Sequence, residues 1–320
     1  MRVSARKPLP TAFSHLPFSV GAASKAGLPP SRLRAQDLES PFHGIRRPVG
    51  PVEPWTDDPI ELARRRHESL VRDCLAFLER RGRPVIFSHV TAARLYRMPL
   101  PWRLENRAAL DVAALSPAHA PQGAGVIGHR LNGGSIAVRE IHGIPVPGPV
   151  NVWLQLGALL SVDDLIIAGD ALVRRKLPLA TVDSIHTAVR LAHRRRGLAN
   201  VRKAAPDIRS GTDSAAETRT RLIIVRGGLP EPAIGHTVYD RNGFFVGTPD
   251  LSFVTEKIAL DYEGDIHRVS STVFGEDIER REQFQDAGWR HIRVVKKHLE
   301  SPHLLVDRVA FALAERRAGR

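Results

Sequence analysis

Thr248-Pro-Asp-Leu-Ser-Phe-Val-Thr-Glu-Lys-Ile-Ala-Leu-Asp-Tyr-Glu-Gly-Asp-Ile-His267 reads as two short strands, the second rich in carboxylates. In Lys257–Glu263, alternation sends Ile258, Leu260 and Tyr262 to one face and Lys257, Ala259, Asp261 and Glu263 to the other. Asp250 ends the preceding strand, where its carboxylate shares the second face. Acids gathered at a strand edge repel one another unless a proton or cation lies between them. Hard divalent metals such as Mg²⁺ take oxygen ligands of this kind. The stretch therefore predicts a metal-dependent phosphodiesterase site.

The chain around it has 320 residues, enough for two or three domains, and its apolar content of 42% supports a sizeable core. It contains no uninterrupted apolar run of about 18 residues or more, and its start lacks the apolar core of a signal peptide. A cytoplasmic protein without a membrane partner is the expectation. The single cysteine, Cys74, excludes an intramolecular disulfide and a multi-cysteine zinc module, and its place in a helical apolar register marks it as core filler. The net charge of +13 is unevenly spread: residues 61–205 hold 22 Lys and Arg against 11 Asp and Glu, whereas residues 206–320 hold 17 against 18. The basic middle predicts a polyanionic partner, with a solvated arginine-rich surface as the alternative.

Residues 1–10 read as a disordered arm. In residues 11–52, a short helix over Ser19–Gly27, a second over Pro29–Leu38 and a wing at Phe42–Arg47 suggest a small winged helix-turn-helix. Its second helix would carry Arg32 and Arg34 to DNA, unless the segment is only a packing appendage. A proline-rich linker leads to a basic middle domain, residues 58–205. It opens with an amphipathic helix over 58–81, whose buried side is marked by Ile60, Ala63, Leu70, Cys74, Leu75 and Leu78. A strand at Val85–Phe87, a helix Val90–Tyr96 capped by Ser88, and strands near 109–115, 125–131 and 136–141 follow, with a turn at Gly133-Gly134. Helical spacing then runs from Asn151 to Ala205. Arg194, Arg195 and Arg196 cluster at a helix junction there, either as phosphate contacts or as charges favoured by a helix C-terminus.

A linker at 206–213 opens the last domain, residues 212–320. A helix from Ser214 to Arg226, strands at 234–239 and 244–250, the carboxylate strand, a polar helix near 272–287, a strand Arg290–Val295 and a helix Pro302–Arg317 give the order α-β-β-β-α-β-α. The fold class expected is α/β in the α+β sense, a mixed sheet with helices on its faces.

That order, with an acid on the first helix and acids on the second and third strands, resembles the PD-(D/E)XK restriction-endonuclease fold over about residues 212–300. The residues carrying the likeness are Glu217, Pro249-Asp250, Asp261-Tyr-Glu-Gly-Asp-Ile-His267, Asp277-Ile-Glu-Arg-Arg281 and Ala287–Val294. The nearest branch is that of the very-short-patch-repair endonucleases. Residues 11–52 and the segment Phe87–Tyr96 are similar to type IV (abortive-infection) antitoxins, more loosely. Together they look like actinobacterial proteins that fuse an antitoxin-like front half to a nuclease-like domain.

The resemblance implies a DNA endonuclease in which Asp250 and Asp261 bind Mg²⁺ or Mn²⁺. By the same resemblance Glu217 is an outer ligand or a water-orienting group and His267 matches the histidine that assists in that branch; Arg280 and Arg281, on the following helix, are side chains suited to phosphate oxygens. The resemblance equally implies a non-catalytic DNA-binding regulator of the antitoxin type, partnered by a cognate toxin. The chain departs from the family where its usual lysine, two residues after the third-strand acid, is replaced by Glu263. It also lacks the cysteines of the repair enzyme's structural zinc site, so mismatch specificity is not implied. Glu217 has a structural use as well, since Ser214-x-x-Glu217 spells a capping box.

Overall fold

Leu70, Cys74 and Phe77, spaced i, i+4 and i+7, form the buried stripe of the longest helix in the chain's first half, Pro59–Arg80. Ile60 and Ala63, expected on that stripe, are exposed, because the packed part of the helix is confined to its last three turns. The computed structural model describes residues 8–51, 53–80, 84–132, 136–264 and 280–319. It is a mixed α and β chain with small sheets, in two compact units: Met1–Arg97 with Trp102–Val152, and Met98–Pro101 with Trp153–Arg320. Among the described residues, no helix is long and apolar enough to cross a membrane.

Unit 1 begins with β1 (Phe18–Ser19), α1 (Val20–Lys25), β2 (Leu38–Glu39) and β3 (Ile45–Pro48), the strands forming an antiparallel sheet in the order β1-β3-β2. Ser19 caps α1 by accepting from Ala22 N at 3.1 Å. The second helix expected at Pro29–Leu38 is absent: one 3₁₀ turn, Arg32–Arg34, stands in its place. The Arg32 guanidinium grips Asp37 through two bonds of 3.0 and 2.8 Å, and this closes the segment into a loop over buried Leu33. A single turn cannot lie in a major groove as a recognition helix does, so the helix-turn-helix expectation is corrected here.

The unit continues with α2 (Pro59–Arg80), β4 (Ile86–Phe87), α3 (His89–Leu95), α4 (Trp102–Glu105), β5 (Leu110–Leu115), β6 (Val126–Leu131), β7 (Val138–Ile141) and β8 (Ile144–Pro147). β4 pairs antiparallel with β5, and β5 pairs parallel with β6. β7 and β8 make a hairpin whose turn residues, His142 and Gly143, both have positive φ (52° and 74°). β8 was not expected, because Pro145 and Pro147 mask its strand pattern. Gly133-Gly134 lies outside the described residues.

The division between the units falls in α5 (Pro149–Leu156). Unit 2 then holds α6 (Val162–Leu172), α7 (Val182–Leu191), α8 (Leu198–Ala204), α9 (Ala215–Arg226), β9 (Ala233–Ile234), β10 (Val238–Tyr239), β11 (Phe245–Gly247), β12 (Leu251–Phe253) and β13 (Ile258–Glu263). After the helical residues 280–286 (α10) come β14 (Arg290–Val295), α11 (Lys296–Glu300) and α12 (Pro302–Ala318). The main sheet has the order β14-β13-β12-β9, with β13 and β14 parallel and the other neighbours antiparallel. One face packs Ile258, Leu260, Ile292 and Val294 against Ile224, Leu305 and Val309. The other packs Ala259 against Phe284, Ala287 and Trp289. Covering on both faces explains why Ile258-Ala259-Leu260 is buried throughout, where alternation had left Ala259 on the polar side.

The domain boundary expected near residues 206–213 lies inside unit 2. Fully buried Asp170 on α6 accepts from Arg221 Nη2 (3.0 Å) and Thr218 Oγ1 (3.0 Å) on α9, and from Arg209 N (2.8 Å) in the intervening loop. Arg221 also reaches Glu231 (2.8 Å) and the Asp207 carbonyl (2.9 Å). This network ties the helical segment to the sheet-bearing one. A second constraint is the approach of Gly197 to Gly157. Gly197 has φ +79°, and a Cβ there would fall 2.1 Å from the Gly157 carbonyl carbon. Gly197→Ala is expected to destabilise unit 2 by more than about 1 kcal/mol, read from urea unfolding.

Candidate active site

The antiparallel β12–β13 register sets Leu251 opposite Leu260, so one residue further out Asp250 and Asp261 face each other where β12 begins. Each carboxylate is locked to the other's strand: Asp250 N donates to Asp261 Oδ1 at 2.9 Å, and Tyr262 N donates to Asp250 Oδ2 at 2.8 Å. Asp261 Oδ2 also lies 2.8 Å from His291 Nε2 and accepts from Arg280 Nε and Nη2 at 3.3 Å. Glu217, at the start of α9, lines the same small cavity as Asp250. It also serves as a cap: its N–H donates to Ser214 Oγ (3.1 Å), and Asp213 N donates to its Oε2 (2.9 Å). Ser214 thus supplies its half of the expected capping box, whereas the Glu217 carboxylate accepts from Asp213 N and not from the N-cap itself.

The acids are driven apart electrostatically. Burial, with Glu217 and Asp261 close by, pushes the Asp250 carboxyl up to about 7. Burial also raises Glu217. Burial acts on Asp261 in the same direction, but the His291 bond, the Arg280 charge and the Asp250 N–H outweigh it and hold Asp261 below the usual carboxylate range. Of the sequence-predicted site residues, the structure therefore gathers Glu217, Asp250 and Asp261, with Arg280 against Asp261. Glu263 sits at the end of β13 in an ion pair with Arg293 (2.7 Å). His267 and Asp277 lie outside the described residues.

His291 was missed. Its signal was present in Arg290–Val295, where Ile292 and Val294 alternate inward and leave His291 and Arg293 on the other face. Which strand would lie alongside was not visible: the parallel pairing of β13 with β14 is what brings His291 to Asp261.

The predicted phosphate contacts separate. Arg32 is consumed by Asp37, with 10% of its side chain exposed, while Arg34 is exposed. In the link between α7 and α8, Arg194 and Arg196 are exposed and Arg195 is half-buried, its guanidinium pushed below its ordinary range by burial. Arg280 belongs to the carboxylate site. Exposed Arg281 lines an open groove of about 950 Å³ with Lys257, Arg290, His291, Arg308 and Arg316. Burial, then Arg290, Arg281 and Arg293, press the Arg308 guanidinium down, the mark of crowded positive charge. Two acids temper the groove, Glu315 paired with Arg290 and Glu256 paired with Arg317 at 3.0 Å. The near-neutral charge of residues 206–320 concealed this concentration of arginines.

Among the described residues, one group of three metal-ligating side chains has ligand atoms all within 4.8 Å of one another. It is His89, Asp111 and His129 in unit 1, not the acids of unit 2.

Two Mycobacterium tuberculosis proteins, the uncharacterized proteins MT2308 (strain CDC 1551 / Oshkosh) and Rv2248 (strain ATCC 25618 / H37Rv), are each 26% identical over 150 residues. The match covers 43% of this chain, which spans about 55% of the length of each relative. No family model and no solved structure matches the chain.

Proposed function

We propose that unit 2 is a Mg²⁺-dependent phosphodiesterase that cleaves DNA. The observation that carries this reading is the interlocked Asp250–Asp261 pair, with Glu217 behind it and an arginine-lined groove reaching it through His291. The sheet, an antiparallel run of β9, β12 and β13 followed by parallel β14 with α9 before it, supports the resemblance to PD-(D/E)XK endonucleases.

Crowded, buried carboxylates with one pushed up to about 7 are a donor set that a divalent cation would relieve. Mg²⁺ keeps several waters and needs only one or two carboxylates, so three acids need not converge on it. Asp250 and Asp261 would hold it, with Glu217 in the outer position. When bound, it neutralises phosphate charge and makes a coordinated water more acidic. Arg280, beside Asp261, supplies positive charge at a site where Glu263 stands in the usual lysine position. His291 fixes the rotamer of Asp261, and Arg281 and Arg308 in the groove suit phosphate oxygens.

A second reading, a DNA-binding regulator that does not cleave, is favoured by one fact: both oxygens of Asp261 already accept bonds from protein donors. Supercoiled, linear and single-stranded DNA incubated with Mg²⁺, Mn²⁺ or chelator separates the two. Divalent-dependent cleavage supports the first reading; retention of DNA without cleavage supports the second. A cognate toxin remains part of the second proposal alone, and a cytoplasmic location is part of both proposals.

The Asp250 shift has a thermal consequence. A carboxyl raised from its ordinary range to about 7 favours the folded state when protonated, so stability falls as pH rises through that interval. Bound Mg²⁺ offsets the charge that then appears. The Mg²⁺-induced rise in melting temperature is expected to be larger near about pH 8 than near about pH 5. Equal rises at both would remove Asp250 from the metal site.

A further inference from the structure

Asp111 and His129 sit on neighbouring parallel strands: Asp111 lies opposite Ile127, and His129 follows two residues later on the same side of β6. His89 opens α3 immediately after β4, and the Ser88 N–H bond to the Asp111 carbonyl (3.0 Å) places it beside β5. Its φ of +45° is one that histidine adopts more readily than most side chains. The two imidazoles stack, with centroids 3.7 Å apart and planes 19° from parallel. Asp111 is buried, 1% exposed, with Oδ1 2.8 Å from His129 Nε2 and Oδ2 paired to Arg107. Its backbone is anchored by donation to Thr91 Oγ1 at 2.8 Å.

We propose that His89, Asp111 and His129 form a binding site for a divalent transition metal of the zinc class. Two imidazole nitrogens and one carboxylate oxygen are a donor set that suits Zn²⁺ and is ill suited to Mg²⁺. Their ligand atoms already lie within 4.8 Å of one another, so binding requires adjustment of side chains and not of strands. The surrounding contacts have the form of an orienting shell. Arg107 holds one oxygen of Asp111 and directs the other to His129, and the Ser88 hydroxyl lies 3.0 Å from His89 Nδ1. Both histidines are half-buried. Three protein ligands at such a position leave room for water or an anionic ligand on the metal, the form of a reactive centre rather than a closed structural one.

The test uses the full chain, stripped of metal and titrated with Zn²⁺ by equilibrium dialysis, with Co²⁺ absorption as the coordination readout. Wild-type protein is expected to take up one zinc and to give the visible bands of low-coordinate Co²⁺. His129→Ala and His89→Ala are each expected to weaken zinc at least about 10-fold, as loss of even an outer-shell partner does. Asp250→Asn is expected to leave zinc affinity unchanged, which separates this site from the acids of unit 2. Buried Asp111 is a riskier target for folding. The test therefore rests on His129, whose side chain is 23% exposed, with circular dichroism as the check on folding. Wild-type protein that takes up no zinc, or folded His129→Ala and His89→Ala variants that bind it as tightly as wild type, would overturn the proposal.

Discussion

Asp250→Asn is expected to reduce Mg²⁺-dependent nicking of supercoiled DNA by roughly 100-fold or more while raising the melting temperature near neutral pH. Losing an outer-shell partner of a metal costs about 10–100-fold, and a direct ligand at least as much. The gain in stability has a separate cause. Asp250 is pushed up to about 7 by burial beside Glu217 and Asp261, so a neutral amide removes a charge the folded state disfavours. Asparagine keeps an oxygen able to accept from Tyr262 N, so the strand junction survives. A variant that is more stable and yet inactive cannot have lost activity by unfolding. Asp261→Asn is expected to lose activity equally but also to lose stability. Asp261 is held ionised by His291, Arg280 and the Asp250 N–H, and these would lose a charged partner. Plasmid nicking read beside thermal melts checks both. Undiminished nicking in either variant would dissociate cleavage from these acids.

Arg221→Ala is expected to lower the stability of unit 2 by about 3–5 kcal/mol, the usual consequence of leaving a buried charge without its partner. The stranded group is Asp170, fully buried on α6, whose carboxyl is already raised by burial despite the Arg221 bond. Arg209 N and Thr218 Oγ1 would still donate to it, but neither carries a charge. The double variant Asp170→Leu with Arg221→Met is expected to recover most of the loss, because a well-packed apolar pair avoids the desolvation of two ions. Urea unfolding of the single and double variants measures both. An Arg221→Ala loss below about 1 kcal/mol would mean the pair is not a buried anchor.

The strand carrying Asp261 was legible because alternation and flanking turn residues are local signals. So were the helices Pro59–Arg80 and Ala215–Arg226, whose apolar spacing and Ser214 cap need no knowledge of the rest of the chain. The Pro29–Leu38 helix failed because an arginine five residues from an aspartate formed a closed loop, a competition that propensity does not register. The 206–213 segment resembled a linker in composition, yet Arg209 N serves a carboxylate 39 residues earlier.

The sequence by itself therefore determined the secondary structure of the main elements, the apolar faces they bury, and the candidacy of Glu217, Asp250 and Asp261. Each follows from periodicity or spacing within a few residues, except the candidacy of Glu217, which the resemblance to the nuclease family implies. Only the tertiary structure decided that His291 and Arg280 join Asp261, that arginines of a near-neutral segment line one groove, and that Asp170 binds two apparent domains into one unit. It alone decided, too, that His89, Asp111 and His129 converge across a turn and two strands. Strand register and buried charge pairing act between residues far apart in the chain, and no local pattern carries them.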